Sequence, residues 1–249
     1  MPTAPVNGIG LYYEAHGEGP NIVFCHGAGG NHLSWWQQVP HFQSEYRCIT
    51  FDHRGFGRSP DLDGRASAAY AEDLAALLDH LEVQETYLVA QSMGGRSAFP
   101  LAMAQPQRVK ALVMADTVGG VPSRQVGELR QRMQDEGLSV RSAFAPSFPT
   151  RDPVRTFLYR QISGLNPPRG AAEQAGPVAD GDLSGFRVPT LFLYGAEDRL
   201  GHPEVGKLAA SIVPGARFVE VPGAGHSVYF ERSEEFNDIV GRFFREVGG

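Results

Sequence analysis

Short apolar runs alternate with amphipathic helical patterns along most of the 249 residues, and no other feature of the sequence restricts the fold as strongly. The apolar runs are continuous, as in strands buried on both faces, whereas residues 67–82 repeat apolar side chains at helical spacing. Further helices are expected after Ser92, from Pro203 and around Phe236. This alternation is typical of a mostly parallel sheet covered by helices on both faces. We predict strands at residues 10–15, 21–25, 48–51, 86–90, 109–115, 190–194 and 217–221.

The alternation breaks off in residues 119–187, a segment rich in Gly, Pro and Arg. It contains two weak helical stretches, at about 123–136 and 152–163, and no clear strand. An insertion between two core strands is placed to cover the carboxyl edge of the sheet, where open α/β sheets bind ligands. We therefore predict a core formed by residues 1–118 and 188–249, with a cap formed by the insertion.

Composition and charge argue against several classes of protein. The chain is 42% hydrophobic and 20% charged, as in globular proteins with a buried core, and its net charge of −6 comes without a basic cluster. Nucleic-acid binding needs concentrated positive charge and is not expected. No apolar run reaches the roughly 20 residues of a membrane span, and the start of the chain lacks the features of a signal peptide. We expect a cytoplasmic monomer or homodimer that acts on a small molecule.

The two cysteines, Cys25 and Cys48, are predicted to be buried free thiols. Both fall on predicted parallel strands, and aligned strand ends would offset them by about three residues, or roughly 10 Å. A disulfide requires Cα atoms within about 7 Å. Two cysteines are also too few for a zinc site, and no other cluster has the spacing of metal ligands.

The strongest indication of chemistry is the segment 90–95, Ala-Gln-Ser-Met-Gly-Gly, between a predicted strand and a predicted helix. A serine on a sharp strand-to-helix turn presents its Oγ at the sheet edge, and small residues two positions before and after it give the bend room. Here Ala90 stands in the place of the first glycine of the usual pattern. Ser92 is therefore the predicted nucleophile.

A serine hydroxyl needs a base to remove its proton and a carboxylate to orient that base. Asp198 and His226 each follow a predicted core strand, so their loops open at the same edge as Ser92. The chain order Ser, Asp, His is that of the nucleophile-elbow fold. We predict His226 as the base and Asp198 as the acid. Glu197, its neighbour, and Asp116, at the end of another strand, are alternative acids.

Negative charge that develops on a carbonyl oxygen requires N–H donors, which form an oxyanion hole. The backbone N–H of Met93, directly after the nucleophile, is one predicted donor. The second is expected from the glycine-rich loop 26–30 that follows an early strand. We assign it to the backbone of Ala28, with Gly29 as the alternative. His26 is expected to brace this loop.

Taken together and in their order along the chain, five short motifs resemble the α/β-hydrolase fold superfamily over essentially the whole chain. They are most similar to its cap-bearing branch, which contains esterases, lactonases, C–C bond hydrolases and menaquinone-pathway lyases. The resemblance implies an α/β fold with a mostly parallel eight-stranded sheet, helices on both faces and a small helical cap. It also implies a structural turn at residues 52–59, and neither a metal nor an organic cofactor. The motifs are residues 26–30, residues 52–59, the Ser92 turn, the Asp198 loop and the pair 225–226.

Side chains of loops and of the predicted cap are candidates for binding substrate. Their aromatic character favours a small or medium apolar ester or lactone, although ordinary packing of the core and cap explains it equally well. Arg96, one turn after Ser92, would attract a substrate carboxylate, or else pair with a nearby acid or face solvent. Besides Arg96 and Met93, the candidates are Trp35, Trp36, Phe144, Phe148, Phe157 and Tyr229.

The predicted function is hydrolysis of an ester or lactone through an acyl-enzyme on Ser92. One alternative is a C–C bond hydrolase or lyase with the same three residues, since residues 92–96 resemble the turn of the menaquinone-pathway lyase. The other is a ligand-binding or signalling protein that retains these residues. Haloalkane dehalogenases and epoxide hydrolases of the same fold use an aspartate nucleophile, so the serine argues against both.

Overall fold

The computed structural model describes residues 2–168 and 180–248 and contains one eight-stranded sheet. Its strands are β1 (Thr3–Val6), β2 (Ile9–His16), β3 (Asn21–Cys25), β4 (Arg47–Phe51), β5 (Thr86–Gln91), β6 (Val109–Ala115), β7 (Thr190–Gly195) and β8 (Arg217–Val221). They lie in the order β1-β2-β4-β3-β5-β6-β7-β8. The pairs β1–β2 and β2–β4 are antiparallel and the other pairs are parallel, which confirms the predicted mostly parallel sheet.

Strand β1 is the one that the pattern of apolar runs did not predict. It has only four residues, one of them Pro5, and only alternate side chains are buried. It forms a hairpin with β2 through Asn7 and Gly8, whose φ angles are 44° and 80°. Asn-Gly is a strong signal for a two-residue hairpin, so the sequence does contain an indication of this strand.

Helices cover both faces of the sheet. Within the described ranges, no helix is both long and apolar enough to cross a membrane. The helices are α1 (Gln38–Phe42), α2 (Tyr70–His80), α3 (Gly95–Ala104), α4 (Arg124–Asp135), α5 (Phe148–Arg151), α6 (Pro153–Gly164), α7 (Pro203–Ile212), α8 (Val228–Glu231) and α9 (Ser233–Gly248).

The strand side chains divide between two apolar clusters, one on each face. In β3, Val23 and Cys25 belong to the cluster that also contains buried side chains of α2, α3 and α7. Ile22 and Phe24 belong to the second cluster, with side chains of α1 and α9. Because successive side chains of a strand point to opposite faces, burial of both sets explains why this strand is apolar throughout.

The helix predicted at residues 67–82 is shorter in the structure. Residues Ala66–Ala69 form a 3₁₀ turn before α2 begins. At the other end, Glu82 has a left-handed φ of 54°, and the N–H of Val83 donates to the carbonyl oxygen of Leu78 at 2.8 Å. This hydrogen bond satisfies a carbonyl group of the last turn and ends the helix. The spacing of apolar residues does not predict this end point.

The inserted segment supplies α4 and α6, which agree with the predicted helical stretches to within about one residue. Val126 of α4 joins the first apolar cluster and Ile162 of α6 joins the second. After α6, the side-chain amide of Asn166 donates to the carbonyl oxygen of Gly30 at 3.1 Å. This contact places that part of the insertion against the loop that follows β3. Residues 169–179 of the predicted cap lie outside the described residues.

The two cysteines are free and buried, as predicted. Cys48 of β4 is in register with Ile22 of β3, so Cys25 lies three positions further along its strand. Burial raises the pKa of each thiol to about 12. Neither thiol is therefore available as a nucleophile in the folded protein.

Candidate active site

Ser92 lies on the sharp turn between β5 and α3. Its φ of 50° is in the left-handed region, which residues with a side chain rarely adopt. A Cβ atom on Gly94 would overlap the carbonyl oxygen of Cys25 in the neighbouring strand, so the turn requires glycine at that position. The hydroxyl of Thr117 donates to the carbonyl oxygen of Ser92 at 2.6 Å and holds the turn in place.

The side chains of Ser92, His226 and Asp198 form one hydrogen-bonded chain. Nε2 of His226 lies 2.8 Å from Oγ of Ser92, and Nδ1 lies 2.9 Å from Oδ2 of Asp198. Asp198 and His226 are buried, whereas Ser92 is partly exposed. When Nδ1–H donates to the carboxylate, Nε2 has a free lone pair directed at the hydroxyl. An imidazole in this arrangement can accept a proton from serine.

The carboxyl group that contacts His226 belongs to Asp198. Its other oxygen, Oδ1, accepts the backbone N–H groups of Leu200 and Gly201, each at 2.8 Å. These two bonds fix the rotamer of the carboxylate within its loop. Glu197, one of the alternative acids, has an exposed side chain.

Asp116, the other alternative acid, connects two loops of the site. Its oxygens accept the backbone N–H groups of Gly195 at 2.9 Å and of Val228 at 3.1 Å. Burial raises the pKa of Asp116 well above its usual range, and the nearby charge of Asp198 raises it further. Asp116 thus joins the end of β7 to the start of α8, while Asp198 orients the histidine.

The loop that carries His226 is held by the turn, by α8 and by the insertion. Nε2 of Gln91 donates to the carbonyl oxygen of His226 at 2.7 Å. The N–H of Gly225 donates to Oε1 of Glu231 at 2.8 Å. A Cβ atom on Gly225 would overlap the backbone nitrogen of Ala145, so the inserted segment touches this loop directly. The position of the imidazole is therefore set by backbone contacts on several sides.

Gln91 and Glu231 are site residues that were not predicted. Glu231 is buried, and burial raises its pKa to about 7, although hydrogen bonds from backbone N–H groups lower it. It follows three apolar residues, 228–230, and acidic side chains are rarely buried unless they have partners. An acidic residue directly after an apolar run could therefore have predicted a buried, hydrogen-bonded Glu231. The sequence around Gln91 contains no comparable pattern.

The predicted oxyanion donors lie beside the nucleophile. A Cβ atom on Gly27 would come within 3.1 Å of Cβ of Ser92, so the loop after β3 packs against the turn. In the described part of the chain, neither the N–H of Ala28 nor that of Met93 donates a hydrogen bond to a protein acceptor. Two unused donors in this position suit a carbonyl oxygen that gains negative charge.

His26 and Asp52 hold the surrounding loops together. Nε2 of His26 accepts the backbone N–H of His53 at 2.9 Å. Asp52 accepts the backbone N–H groups of His32 at 2.7 Å and of Arg58 at 2.8 Å. Burial opposes ionisation of Asp52, but contacts with His32 outweigh it and hold the pKa of this carboxyl below its usual range. These contacts agree with the structural roles expected for the loop and for the 52–59 turn.

The predicted substrate-binding aromatic side chains do not form one group. Trp35, Phe148 and Tyr229 are buried together in the second apolar cluster, where core packing accounts for them. Trp36 and Phe157 are 41% and 63% exposed. None of these five environments by itself identifies a substrate contact.

Phe144 and Tyr159, both in the insertion, lie nearer to the predicted oxyanion loop. Their rings meet edge to face at 4.7 Å, and Phe230 completes the group at 5.3 Å from Tyr159. A Cβ atom on Gly29 would overlap the hydroxyl oxygen of Tyr159. Tyr159 was not predicted, and it places an aromatic ring and a hydroxyl next to that loop.

Arg130 is close enough to Arg96 and to Asp198 for their charges to act on it. Nη1 of Arg96, in α3, donates to Oγ of Ser67 at 3.3 Å. Arg130, in α4, was not predicted as a site residue. Burial lowers the pKa of Arg130, the charge of Arg96 lowers it further, and Asp198 acts in the opposite direction. Among the described residues Arg130 forms no ion pair.

A family model described as the alpha/beta hydrolase fold matches residues 20–152, which is more than half of the chain. The sheet order, the serine turn and this match agree. The chain belongs to the α/β-hydrolase fold family.

Proteins of known name resemble the chain over nearly its full length. 3-Oxoadipate enol-lactonase 2 of Acinetobacter baylyi is 27% identical, with 96% of this chain and 94% of that protein covered. A 2-hydroxy-6-oxononadienedioate/2-hydroxy-6-oxononatrienedioate hydrolase of Paraburkholderia xenovorans is 28% identical, with 93% and 89% covered. The structure of a thermophilic esterase from Thermogutta terrifontis superposes with a TM-score of 0.81 at 29% identity and covers 99% of this chain and 97% of that one.

Proposed function

We propose that this protein is a serine hydrolase that cleaves a small or medium, largely apolar ester or lactone through an acyl-enzyme on Ser92. The observation that carries the proposal is the continuous hydrogen-bonded chain from Ser92 through His226 to Asp198. The chain is a hydrolase of the ester-cleaving kind, as the names of its relatives support. The nature of the acyl group and of the leaving alcohol belongs to the proposal.

In the acylation step, Nε2 of His226 removes the proton of Ser92 while Oγ attacks the substrate carbonyl carbon. Asp198 stabilises the imidazolium that forms and keeps Nδ1 protonated. The carbonyl oxygen becomes negatively charged and receives the N–H groups of Ala28 and Met93. Collapse of the tetrahedral intermediate breaks the bond to the leaving alkoxide, which takes the proton from His226.

In the deacylation step, water replaces the alcohol. Nε2 of His226 removes a proton from the water as its oxygen attacks the acyl carbon, and the same N–H groups receive the oxyanion. Ser92 leaves as the proton returns to its Oγ, and the acid product departs. With the water consumed in deacylation, both steps balance.

Intact-mass measurement after treatment with a fluorophosphonate probe tests this proposal. Wild type is expected to gain one probe, because the activated hydroxyl of Ser92 attacks phosphorus and fluoride leaves. Ser92→Ala should gain none. Ser211→Ala removes an exposed hydroxyl on α7 and should label like wild type. Wild type that stays unlabelled would refute the serine-nucleophile mechanism. A panel of acyl esters and lactones then defines the substrate range.

A second candidate, cleavage of a C–C bond in a carboxylated substrate by the same three residues, is favoured by one observation. Arg130 places positive charge near Asp198, the charge of Arg96 acts on Arg130, and among the described residues Arg130 forms no ion pair. A substrate carboxylate would supply that ion pair, since arginine binds carboxylates with two parallel hydrogen bonds. The relative from Paraburkholderia xenovorans is named as a hydrolase of a dioate.

Product analysis and substrate charge separate the two candidates. Arg130→Gln is expected to raise KM for a carboxylated ester or vinylogous diketone by about tenfold while leaving a neutral ester unchanged. Arg132→Gln, an exposed position on the same helix, is the matched control. If neutral and carboxylated substrates respond alike, the arginine pair does not bind substrate and the apolar ester remains the better description.

A further inference from the structure

The cap segment, defined here as residues 139–145, contacts both loops that carry the hydrogen-bonded chain. At the loop that carries Asp198, the N–H of Val140 donates to the carbonyl oxygen of Arg199 at 2.8 Å. Near the same loop, Oγ of Ser139 lies 2.9 Å from Nε2 of His202. At its other end, the cap segment reaches the histidine loop.

Glu231 joins that other end to the histidine loop. Its Oε2 accepts the N–H of Ala145 at 3.0 Å, and its Oε1 accepts the N–H of Gly225, the residue before His226, at 2.8 Å. The two donors come from different parts of the fold, and the carboxylate is buried between them. Ala145 also packs against Gly225 with no space for a Cβ atom. A shift of the cap segment is therefore transmitted to the peptide that carries the imidazole.

A carboxyl group suits both contacts, because each of its two oxygens can accept a hydrogen bond. Glutamine in its place has one acceptor oxygen and one NH₂ group, which only donates. That NH₂ group would face a backbone N–H, and two donors cannot share a hydrogen bond. The substitution Glu231→Gln therefore removes one of the two contacts.

We propose that Glu231 is a positioning residue whose carboxyl group, by accepting two backbone N–H groups, holds the cap segment and the His226 loop in the arrangement needed for catalysis. The inference rests on the proposed serine hydrolase function for its kinetic part. Its structural part, attachment of the cap segment to the His226 loop, is independent of turnover.

Charged groups near Glu231 act on it in both directions. Burial raises its pKa to about 7, and Arg151, from α5, acts in the opposite direction. Asp116, directly after β6, and Glu231 repel each other when both are ionised. Since these groups stay in place when Glu231 is replaced, a comparison of wild type with Glu231→Gln isolates the contribution of its own carboxyl group.

The kinetic test compares wild type with Glu231→Gln on p-nitrophenyl acetate between about pH 5.5 and 8.5. With the folded fractions matched by circular dichroism, Glu231→Gln is expected to lower kcat by about tenfold, because a displaced imidazole removes the proton of Ser92 less readily. KM should stay within about twofold, since the buried side chain of Glu231 acts on the His226 loop and not on the substrate. Glu235→Gln, an exposed position on α9, should match wild type.

Hydrogen–deuterium exchange provides a second measurement. Peptides covering residues 139–146 and 222–227 should exchange faster in Glu231→Gln than in wild type, whereas peptides of α2, away from these contacts, should match. Equal protection of both segments in the two proteins, or an equal kcat, would overturn the proposal. Because exchange needs no turnover and fluorophosphonate labelling tests the nucleophile separately, failure of one proposal is distinguishable from failure of the other.

Discussion

At the scale of the residue, the reactive groups are oriented largely by hydrogen bonds with the backbone. Asp198 accepts two N–H groups of its own loop, and the carbonyl group of His226 accepts the amide of Gln91. The turn at Ser92 is tied through its carbonyl group to Thr117. Such contacts hold catalytic side chains within the narrow limits that proton transfer requires.

Asp198→Asn is expected to lower kcat by about 10³- to 10⁴-fold with little change in stability. The amide has nearly the same size as the carboxylate, but it favours the wrong tautomer of His226 and does not stabilise the imidazolium. Initial rates and urea unfolding measure the two effects. Glu197→Gln, at the exposed neighbouring position, should stay within about twofold of wild type. A comparable loss in both variants would show that Asp198 is not the orienting acid.

The folding stability of wild type relative to Glu231→Gln should depend on pH. The pKa of Glu231 is raised in the folded state, from an ordinary value of 4.5 to about 7. Its contribution to stability is therefore greatest below about pH 4.5 and is lost as the pH rises to about 7, because the folded state binds the proton more tightly. Urea unfolding at several pH values should show Glu231→Gln gaining on wild type through this range. Parallel curves would contradict the raised pKa.

At the scale of the element, close packing at the ends of strands places the reactive residues. The start of α3 passes so close to β3 that Gly94 has no room for a side chain. The parallel strands β3, β5, β7 and β8 all end at the same edge, where their loops meet. The site is therefore a property of the sheet edge and not of any one element.

Gly94→Ala tests this packing. The added methyl group would overlap the backbone carbonyl of Cys25, which cannot move without distorting β3. We expect a loss of about 2 kcal/mol or more in the free energy of unfolding, together with most of the esterase activity. Gly164→Ala, at the end of α6 where a Cβ meets nothing within 4 Å, is the control and should change stability by less than about 1 kcal/mol. Equal effects would mean that the turn has more freedom than the structure indicates.

At the scale of the whole molecule, one sheet separates two apolar clusters and makes them interdependent. Cys25 belongs to the cluster on one face and Cys48 to the cluster on the other. Both clusters use side chains of the same strands, so loss of one removes the support of the other. Cooperative unfolding of the two faces follows from this arrangement.

The two thiols report on this cooperativity. In native buffer neither should react with Ellman's reagent, because both are buried and burial raises each pKa to about 12. In urea both should react, at equal rates and over the same range as the loss of circular dichroism. Cys25→Ser and Cys48→Ser assign the signals. Reaction of one thiol well before the other would show that the two faces unfold separately.

Prediction from the sequence succeeded where the signal lies within one short stretch of chain. Continuous apolar runs indicated the parallel strands, and small residues around Ser92 indicated the turn. The strand ends before Asp198 and His226 indicated that their loops share an edge. Strand β1 was missed because its four residues carry a weak pattern, although Asn7 and the following glycine marked its hairpin.

The sequence by itself determined the α/β architecture, the buried free thiols and the candidate reactive residues, because periodicity and glycine placement act over a few neighbouring positions. Only the tertiary structure decided which distant groups meet. Glu231 bonds to Ala145 across 86 positions of the chain, and Arg130 lies beside Arg96 on a different helix. Such contacts depend on how the inserted segment packs on the sheet edge, and no pattern of neighbouring residues shows which distant residues this packing brings together. The same packing gives Glu231 its burial, and with it a carboxyl group that changes charge near neutral pH.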